Sequence, residues 1–568
     1  MYRSILCFWM LFHGFLAQGQ LFQPTLYPSG VFRNPLDIPI SLAANFGELR
    51  VNHFHMGLDI RTEHRENLPV FAADDGYIYR VKIEPFGFGQ AIYVRHPNGF
   101  VTLYAHLNSF YPALASYVKQ KQYEMERWDI SVEPPPGSMP VKKGDLIAYS
   151  GNTGGSEGPH LHFEIRTFPD DVNLNPMLFG LPIVDNTSPV IKSLSVYNLN
   201  KSFYEQVPLF IPVKGDHGRF TIAHELLILN STTPGFGIVG FDTQTGSKNP
   251  NGIFQGIIYD NGVAVSGFRM DRISYNDTKG INAHVDYPTH ANGGPYYQLL
   301  FKMPGYEHSI YKESKTGGQI RIGDKRVHEI RIELKDAYGN TSNLKFKIRY
   351  QPNEKLQVAN AGKMFYPGMV DGYEADEAAF YLGEKCLYDS VHLIYSEKAA
   401  EEGKNIVSAV HQFGNTRIPL ADTITVRIKL PKPVNQKEHV LMQWFDGKEF
   451  EVKKPEWQGD WATASFRNLG NFRLILDTEP PLIHLPGLVE NTNLGSTNQI
   501  IILVKDNYKK IKNFRATLDG NWLLLSNDKA RAFVYKLDEH CRQGKHELKI
   551  YAEDEAGNSA SAVYHFVR

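Results

Sequence analysis

The stretch that most constrains how this chain can fold runs from Gly151 to Arg166. Its sequence is Gly-Asn-Thr-Gly-Gly-Ser-Glu-Gly-Pro-His-Leu-His-Phe-Glu-Ile-Arg. A glycine-rich loop ends at Pro159, and apolar and polar residues then alternate, which is the period of a strand half-buried on one face. Residues two apart in a strand point the same way, so His160 and His162 are expected to project side by side. Two parallel imidazoles beside a loop indicate a metal site.

Composition favours strands and turns over helices. Aromatic residues make up 12% of the 568 residues, and 48 Gly and 33 Pro punctuate the chain. These residue types are enriched in strands and in turns respectively, so the predicted fold class is all-β. The formal net charge is only -1, which gives no bulk attraction for nucleic acid or for an acidic membrane.

The N-terminus is predicted to be a secretory signal peptide covering residues 1–19. A basic start is followed by an apolar core at Ile5–Leu16 and by the small-x-small sequence Ala17-Gln18-Gly19. The apolar run is too short to span a bilayer comfortably, which disfavours an anchor helix. The protein is therefore expected in the periplasm or cell envelope, with secretion left open. The two remaining cysteines, Cys386 and Cys541, are too few for a disulfide framework.

The rest of the chain is predicted to be modular. Short strand-like runs joined by Asp75-Gly76 and Asn98-Gly99 turns form a first compact block, which carries an amphipathic helical insert at about 109–140. Beyond this block, strands and turns continue without clustered chemistry. The predicted boundaries are 20–184 for the first domain, 185–351 for a β-sandwich module, 352–476 for a β-rich module and 477–568 for an immunoglobulin-like module.

An internal repeat supports the modular tail. The sequence from His328 to Asn340 returns from His546 to Asn558, and each copy is a strand followed by an Asp-x-x-Gly-Asn turn and a final strand. Evenly spaced strands of this kind are typical of immunoglobulin-like sandwiches. The acidic turns are candidates for calcium, but their recurrence at one point of two modules is better explained by turn chemistry.

The candidate chemistry lies in the first block. His55 and Asp59 form a His-x-Gly-x-Asp pattern, which offers one nitrogen and one oxygen. A catalytic zinc site uses three protein ligands and a water. Either His160 or His162 supplies the third ligand and leaves its neighbour free for acid–base work. His106, at the end of a strand-like run, adds another unpaired imidazole.

Three motifs resemble those of a known family, the lysostaphin/LytM-type zinc metallopeptidases (peptidase family M23). They are His55-Met-Gly-Leu-Asp59, Tyr104-Ala-His-Leu107 and the opening stretch Gly151–Arg166, and the resemblance covers roughly residues 45–180. It implies a small antiparallel sheet crossed by a groove, followed here by the β-sandwich modules. It also implies an endopeptidase that cuts peptide cross-links or stem peptides of bacterial peptidoglycan.

The resemblance also implies roles for individual residues. His55, Asp59 and His162 would bind Zn2+, while His106 and His160 would sit beside the metal water. One free imidazole would move the proton of that water and the other would help to hold the developing oxyanion. Two departures stand out: the segment before His55 lacks the tyrosine that some relatives have, and the helical insert is longer than in the simplest members. Export favours the D-alanyl–diaminopimelate cross-link, with polyglycine and stem-peptide bonds left open.

Three other classes of protein fit the sequence less well. A catalytically silent LytM-like module that binds the wall or activates another wall hydrolase would be expected to lack ligands, and none is substituted here. A structural envelope protein would need more tail repeats. Gly154–Gly158 satisfies Gly-x-Ser-x-Gly, but a strand follows it where a serine hydrolase has a helix. His284, Asp286 and His290 are predicted to lie in a solvated loop rather than in a second metal site.

Overall fold

The structure is a computed structural model that describes residues 21–307, 309–315, 317–352, 361–400, 405–495 and 497–568. The predicted signal peptide, residues 1–19, lies outside them. Strands dominate the described residues, so the all-β prediction is confirmed. The longest helix, α1 (Pro112–Met125), lies inside the predicted insert. No helix in the described part of the chain is long and apolar enough to cross a membrane.

The first region folds around an antiparallel sheet. Its strands β1 to β14 are, in chain order, Leu42–Ala44, Leu49–Arg50, His53–Phe54, Leu58–Arg61, Pro69–Phe71, Gly76–Ile83, Gln90–Arg95, Phe100–Ala105, Leu107–Phe110, Ile130–Val132, Pro140–Val141, Leu146–Ser150, His160–Thr167 and Asn173–Leu174. The order of the main sheet is β1-β4-β13-β8-β7-β6-β10, with β5, β12 and β9 in a second, smaller sheet. Alternate residues of β13, such as Leu161 and Phe163, are fully buried in the core. The remaining face of β13 is free to carry polar side chains.

The second region has one large sheet, to which all of its strands except β22 belong. Its strands β15 to β26 are Val190–Asn198, Leu209–Asp216, Arg219–Ile222, Leu226–Leu229, Pro234–Phe241, Gln255–Asp260, Val263–Arg269, Arg272–Ile273, Gln298–Leu299, Tyr311–Glu313, His328–Lys335 and Thr341–Tyr350. Two short helices, α2 (Ile281–His284) and α3 (Tyr287–Ala291), interrupt it. Strand β22 pairs with β14 of the first region, and Phe54 and Met56 pack into the core of the second. The two regions therefore share both a sheet edge and a core.

The third and fourth regions are each built from paired sheets. Strands β27 to β38 are Lys363–Phe365, Asp371–Glu374, Ala378–Leu382, Val391–Leu393, Tyr395–Lys398, Val410–Phe413, Ile424–Lys429, Val440–Phe445, Phe450–Lys453, Glu456–Gln458, Trp461–Phe466 and Gly470–Leu476. Strands β39 to β46 are Leu482–His484, Thr492–Asn493, Gln499–Lys505, Ile511–Leu518, Asn521–Trp522, Phe533–Lys536, Lys545–Asp554 and Ser559–Val567. Short 3₁₀ turns complete the described elements at Pro176–Phe179, Phe203–Glu205, Thr278–Gly280, Lys437–His439 and Asp528–Ala530. Each region encloses its own hydrophobic cluster.

The predicted repeat is confirmed as a pair of hairpins. Strands β25 and β26 pair in the second region and β45 and β46 pair in the fourth, each around its Asp-x-x-Gly-Asn turn. The immunoglobulin-like assignment and the module boundaries stay predictions. Both described cysteines, Cys386 and Cys541, are free and buried.

One prediction about the second region is wrong. The segment with His284 and Asp286 is not a solvated loop, because His284 is fully buried and Asp286 is 2% exposed. His284 contacts the Tyr311 hydroxyl, and Asp286 caps α3 by accepting from the Thr289 amide. Both polar groups are thus satisfied inside the fold, which is what burial requires. Their side chains serve packing and capping.

Candidate metal centre

Strand pairing brings the candidate ligands together. His162 on β13 lies in register with Asp59 on β4 and with Ala105 on β8, the residue before His106. His55 precedes β4 by a short turn. Gly57, between His55 and Asp59, has to be glycine because other atoms approach it closely. A Cβ at Gly57 would lie 2.5 Å from the Phe163 carbonyl oxygen and 3.0 Å from His162 Nε2.

Three side chains converge on one point. His55 Nε2 lies 2.9 Å from Asp59 Oδ1 and 3.0 Å from His162 Nδ1. His162 Nδ1 lies 2.9 Å from the same carboxylate oxygen. All three residues are buried, with 8% or less of their surface exposed. They form a group of one carboxylate and two imidazoles that is arranged to hold a metal ion.

The far nitrogen of each ligand imidazole is already engaged. His55 Nδ1 donates to the Asn45 carbonyl oxygen at 2.7 Å, because a carbonyl can only accept. His162 Nε2 lies 2.8 Å from the Glu164 carboxylate, which is also an acceptor. Hydrogen bonds of this kind fix the tautomer and leave the opposite nitrogen lone pair for a metal. Both lone pairs therefore face the Asp59 oxygen, an arrangement that needs a cation between them.

His160 and His106 complete the wall of the site. Their ring centroids are 4.7 Å apart, and His160 Nε2 lies 3.3 Å from Asp59 Oδ1. His160 Nδ1 donates to the Gly158 carbonyl and His106 Nδ1 donates to the Thr153 carbonyl, each at 2.8 Å. In both residues Nε2 is therefore the ring nitrogen that can take up a proton from the site. The structure brings all five predicted residues into one site.

His106 has an unusual backbone. Its φ is +57°, a left-handed value that non-glycine residues rarely adopt. The conformation falls between the end of β8 and the start of β9, where the chain changes sheets. Such strain concentrates at functional positions, and here it directs the imidazole towards His160.

The charges of the cluster are strongly coupled. Although burial acts to raise it, the pKa of Asp59 is held well below its usual range by His55, His160 and His162. Burial acts to lower the pKa of His162, but Asp59 and Glu164 outweigh it and raise that pKa to about 9. A proton on His162 would thus stand in for a metal cation, and metal binding would release it.

The pKa of His106 is shifted in the opposite direction to that of His162. Burial, followed by the nearby His160 and His162, lowers the pKa of His106 to about 3. At neutral pH this imidazole is uncharged, so its Nε2 can accept a proton or a hydrogen bond.

Sequence reasoning missed the residues behind His162. Glu164 is fully buried and accepts from Arg166 Nε at 2.6 Å, from Asn173 Nδ2 at 2.6 Å and from the Tyr275 hydroxyl at 2.9 Å. Although burial acts to raise it, the Arg166 charge and the hydrogen bond from His162 lower the pKa of Glu164 to about 2. The two-residue period of β13 could have identified Glu164, which shares a face with His160 and His162. No local signal marks Tyr275, which comes from the second region.

A groove leads to these side chains. Its lining includes Gly155 and Pro159 of the glycine-rich loop, Phe88 and the histidines. Tyr275 of the second region also lines it. Arg50, 3.5 Å from the second Asp59 oxygen, is half-exposed at the rim. An extended peptide chain can lie along such a groove.

The candidate site lies in a part of the chain that is similar to known peptidases. Residues 53–123 and 130–176 match the model of peptidase family M23, and residues 363–477 match the model of a Zu5-like domain. A relative in Neisseria meningitidis serogroup B, the DD-carboxypeptidase/endopeptidase Mpg, is 34% identical over 133 residues, which are 23% of this chain and 24% of that protein. The peptidoglycan DD-endopeptidase ShyC of Vibrio cholerae is 27% identical over 172 residues, which are 29% of this chain and 33% of that protein. The chain thus spans only about a quarter to a third of the length of these relatives.

Among solved structures, the catalytic domain of lysostaphin from Staphylococcus simulans is similar over 25% of this chain and 91% of its own, with 24% identity and a TM-score of 0.19. The family match defines the class of the first region as a peptidase domain. More particularly, residues 53–123 and 130–176 are similar to peptidase family M23, and the rest of the chain lies outside this match.

Proposed function

We propose that this protein is an exported zinc metalloendopeptidase that hydrolyses peptide bonds in peptidoglycan cross-links. One observation carries the proposal. Two imidazole lone pairs and a carboxylate oxygen meet within 3.0 Å, and each imidazole is fixed by an acceptor at its far nitrogen. Two nitrogens and one oxygen are a donor set that suits Zn2+ and leaves a position for water.

His55 Nε2, His162 Nδ1 and Asp59 would hold the ion. When bound, zinc supplies Lewis acidity towards the scissile carbonyl and lowers the pKa of a bound water towards neutrality. His160 Nε2 and His106 Nε2 are the free proton-accepting atoms of the site. One takes a proton from the attacking water and returns it to the leaving amine, and the other, when it is protonated at Nε2, donates a hydrogen bond to the oxyanion.

The substrate class rests on the relatives. One protein to which the first region is similar, ShyC, is named as a peptidoglycan DD-endopeptidase, which supports a wall peptide as substrate here. The predicted signal peptide would place the enzyme where that substrate is found, in the periplasm or cell envelope.

Purified protein should contain about one zinc per chain and should solubilise bacterial sacculi. Asp59→Ala and His162→Ala are expected to lose both zinc and activity, since each removes one of three ligands. His160→Ala should keep zinc and lose roughly 10²- to 10⁴-fold in activity, the usual contribution of a proton-transfer group. Metal analysis and release of soluble wall fragments measure the two properties separately.

His224→Ala is the matched control, because His224 is exposed and lies in the second region. It should behave like the unaltered protein. Zinc-free protein that binds sacculi without cutting them would overturn the proposal in favour of the silent wall-binding module. Inhibition by a serine reagent but not by a chelator would point to Ser156 instead.

A further inference from the structure

Two acidic clusters lie outside the zinc-type site, the first buried throughout and the second with one half-buried member, Asp506. The first consists of Asp185, Asp242 and Asp336, whose carboxylate oxygens come within 4.8 Å of one another. Asp242 follows β19 and Asp336 follows β25, while Asp185 lies where the chain leaves the peptidase domain. All three are buried, with 8% or less of their surface exposed.

The second cluster repeats the first in the fourth region. Asp477, Asp506 and Asp554 bring their oxygens within 4.8 Å of one another. Asp477 lies where the third region ends, and Asp554 ends β45 just as Asp336 follows β25. The two clusters therefore occupy corresponding places in two modules.

The hydrogen bonds of the two clusters also correspond. Asp336 Oδ1 accepts from the Asn340 amide at 2.8 Å, and Asn340 Nδ2 donates to the Asp185 carbonyl at 3.2 Å. In the fourth region, Asp554 Oδ1 accepts from the Asn558 amide at 2.8 Å, and Asn558 Nδ2 donates to the Asp477 carbonyl at 3.0 Å. Turn chemistry accounts for these bonds.

Turn chemistry does not account for the remaining oxygens. Asp242 is 2% exposed and Asp477 is 1% exposed, yet Asp242 Oδ1 and Asp477 Oδ2 have no hydrogen-bond partner among the described residues. Asp506 Oδ1 likewise has no hydrogen-bond partner among the described residues. A buried, unpartnered carboxylate oxygen is costly unless a cation compensates it.

The described residues supply no such cation. No lysine, arginine or histidine of the described ranges lies within 4.0 Å of any carboxylate in either cluster. Lys454 and Lys510 are beside the second cluster, but they bond to the Ala556 carbonyl and to Glu555 instead. Burial, together with the charges of Asp185 and Asp336, raises the pKa of Asp242 to about 7.

We propose that each cluster binds one Ca2+ ion. The donors are oxygens alone, without the imidazole or thiolate that zinc prefers, and three carboxylates suit a hard divalent cation. The sites are distinct from the zinc-type centre and do not depend on the proposed peptidase activity.

Both sites lie where one module meets the preceding one. Ala337 and Tyr338, in the turn after Asp336, pack against the hydrophobic core of the peptidase domain. In the fourth region, Ala556 packs against Leu441 and Ile475 of the third. A cation that joins the linking segment to this turn would hold successive modules in a fixed orientation.

Calcium titration of the full-length, zinc-loaded protein tests the proposal. After calcium is removed by dialysis, calorimetry should show two Ca2+ bound per chain, with affinities in the range of extracellular modules, roughly 10⁻⁴ to 10⁻³ M. Asp242→Asn and Asp506→Asn should each abolish one site, and the double variant should bind none. Asp216→Asn is the matched control because its side chain is 85% exposed, and it should bind two.

Thermal unfolding separates binding from folding. Each amide variant removes one buried charge, so without calcium it should be at least as stable as the unaltered protein. Calcium should raise the unfolding temperature of the unaltered protein, and the double variant should show no such rise. Absence of binding up to about 10 mM Ca2+, well above that range, or a stoichiometry that both substitutions leave unchanged, would overturn the proposal. Equal or tighter binding of Mg2+ would overturn the choice of calcium.

Discussion

At the scale of single residues, Tyr275 links the second region to the metal centre. Its hydroxyl donates to Glu164 Oε1 at 2.9 Å, and Glu164 in turn accepts from His162 Nε2. Arg166 lies over the Tyr275 ring, with 4.8 Å between the guanidinium carbon and the ring centroid. Tyr275 is thus a positioning residue, since it acts on the candidate ligand His162 only through Glu164.

Tyr275→Phe should weaken zinc binding by about 10-fold, the lower end of the range for residues that support metal ligands. The change removes one hydrogen bond to Glu164 and leaves the aromatic ring in place. Competition with a chelator of known affinity measures the zinc affinity directly. Tyr381→Phe removes a similar tyrosine–carboxylate bond in the third region and should leave zinc affinity unchanged. Equal affinities for both variants would show that Tyr275 does not position the ligand.

His284 makes the second region sensitive to acid. Burial lowers its pKa to about 4. Because the folded pKa is below the unfolded value of about 6.5, the unfolded chain binds the proton more readily. The associated stability is fully present above about pH 6.5 and is lost as the pH falls towards 4, a change on the order of 3 kcal/mol.

His284→Gln should reduce this acid dependence, because glutamine does not titrate. Hydrogen exchange of β20 and β21 at pH 7 and pH 5 measures local stability in a chain of several modules. The difference between the two pH values should be smaller in His284→Gln than in the unaltered protein. His217→Gln, at a side chain that is 95% exposed, should leave that difference as it is. An unchanged acid dependence in His284→Gln would assign it to other groups.

At the scale of elements, the turn at Asp528–Ala530 supports one wall of the groove. Asp528 Oδ1 accepts from the Gly154 amide at 2.8 Å. Lys529 donates from its amide to the Pro85 carbonyl at 2.8 Å and from Nζ to the Ser156 carbonyl at 2.6 Å. The fourth region thus contacts the glycine-rich loop that borders the candidate site.

The double variant Asp528→Ala/Lys529→Asn should loosen this loop. Asparagine tolerates the left-handed φ of +56° at Lys529, so the backbone of the turn is preserved. Three hydrogen bonds to the loop are lost, one from Gly154 to Asp528 and two from Lys529 Nζ to Ser156 and Asn152. At about 1 kcal/mol each, their loss should raise KM several-fold with little change in kcat. Hydrogen exchange of residues 151–158 should become faster. Lys325→Asn, at an exposed lysine with a φ of 62°, is the control, and equal loop exchange in both variants would contradict this interpretation.

The sequence predicts the site better than it predicts its surroundings. His160, His162 and Glu164 follow the period of one strand, and the first two were predicted from that pattern. His55 and Asp59 were found because a metal site restricts both the residue types and their spacing. Tyr275, 111 positions from Glu164, and Lys529, 373 positions from Ser156, reach the groove only through the packing of modules. No local pattern encodes such contacts.

At the scale of the whole molecule, the chain folds back on itself. Helix α1 of the first region contacts the fourth region through Lys119, which forms ion pairs with Asp538 and Glu539 at 2.8 Å each. Tyr123 stacks on His540 with 4.3 Å between ring centroids. The insert, predicted from sequence as an amphipathic helix, therefore serves as a contact between the first and fourth regions.

The acidic clusters show the same limit on prediction. The Asp-x-x-Gly-Asn turns were identified from the repeat, and turn chemistry was preferred for them. Asp242 and Asp506 lie outside the repeated segment, and only the fold brings them to these turns. The third carboxylate changes the interpretation, because turn hydrogen bonds satisfy two aspartates readily, whereas each cluster of three leaves buried oxygens without a partner among the described residues.

We propose above all that this chain cleaves a peptide cross-link in its groove, with a metal held by His55, Asp59 and His162. Mass analysis of fragments released from a defined cross-linked muropeptide dimer tests it most directly. The zinc-loaded protein should convert the dimer to monomers by cleaving the D-alanyl–diaminopimelate bond, and His162→Ala should leave the dimer intact. An intact dimer after incubation with fully zinc-loaded protein, or equal cleavage by His162→Ala, would contradict it.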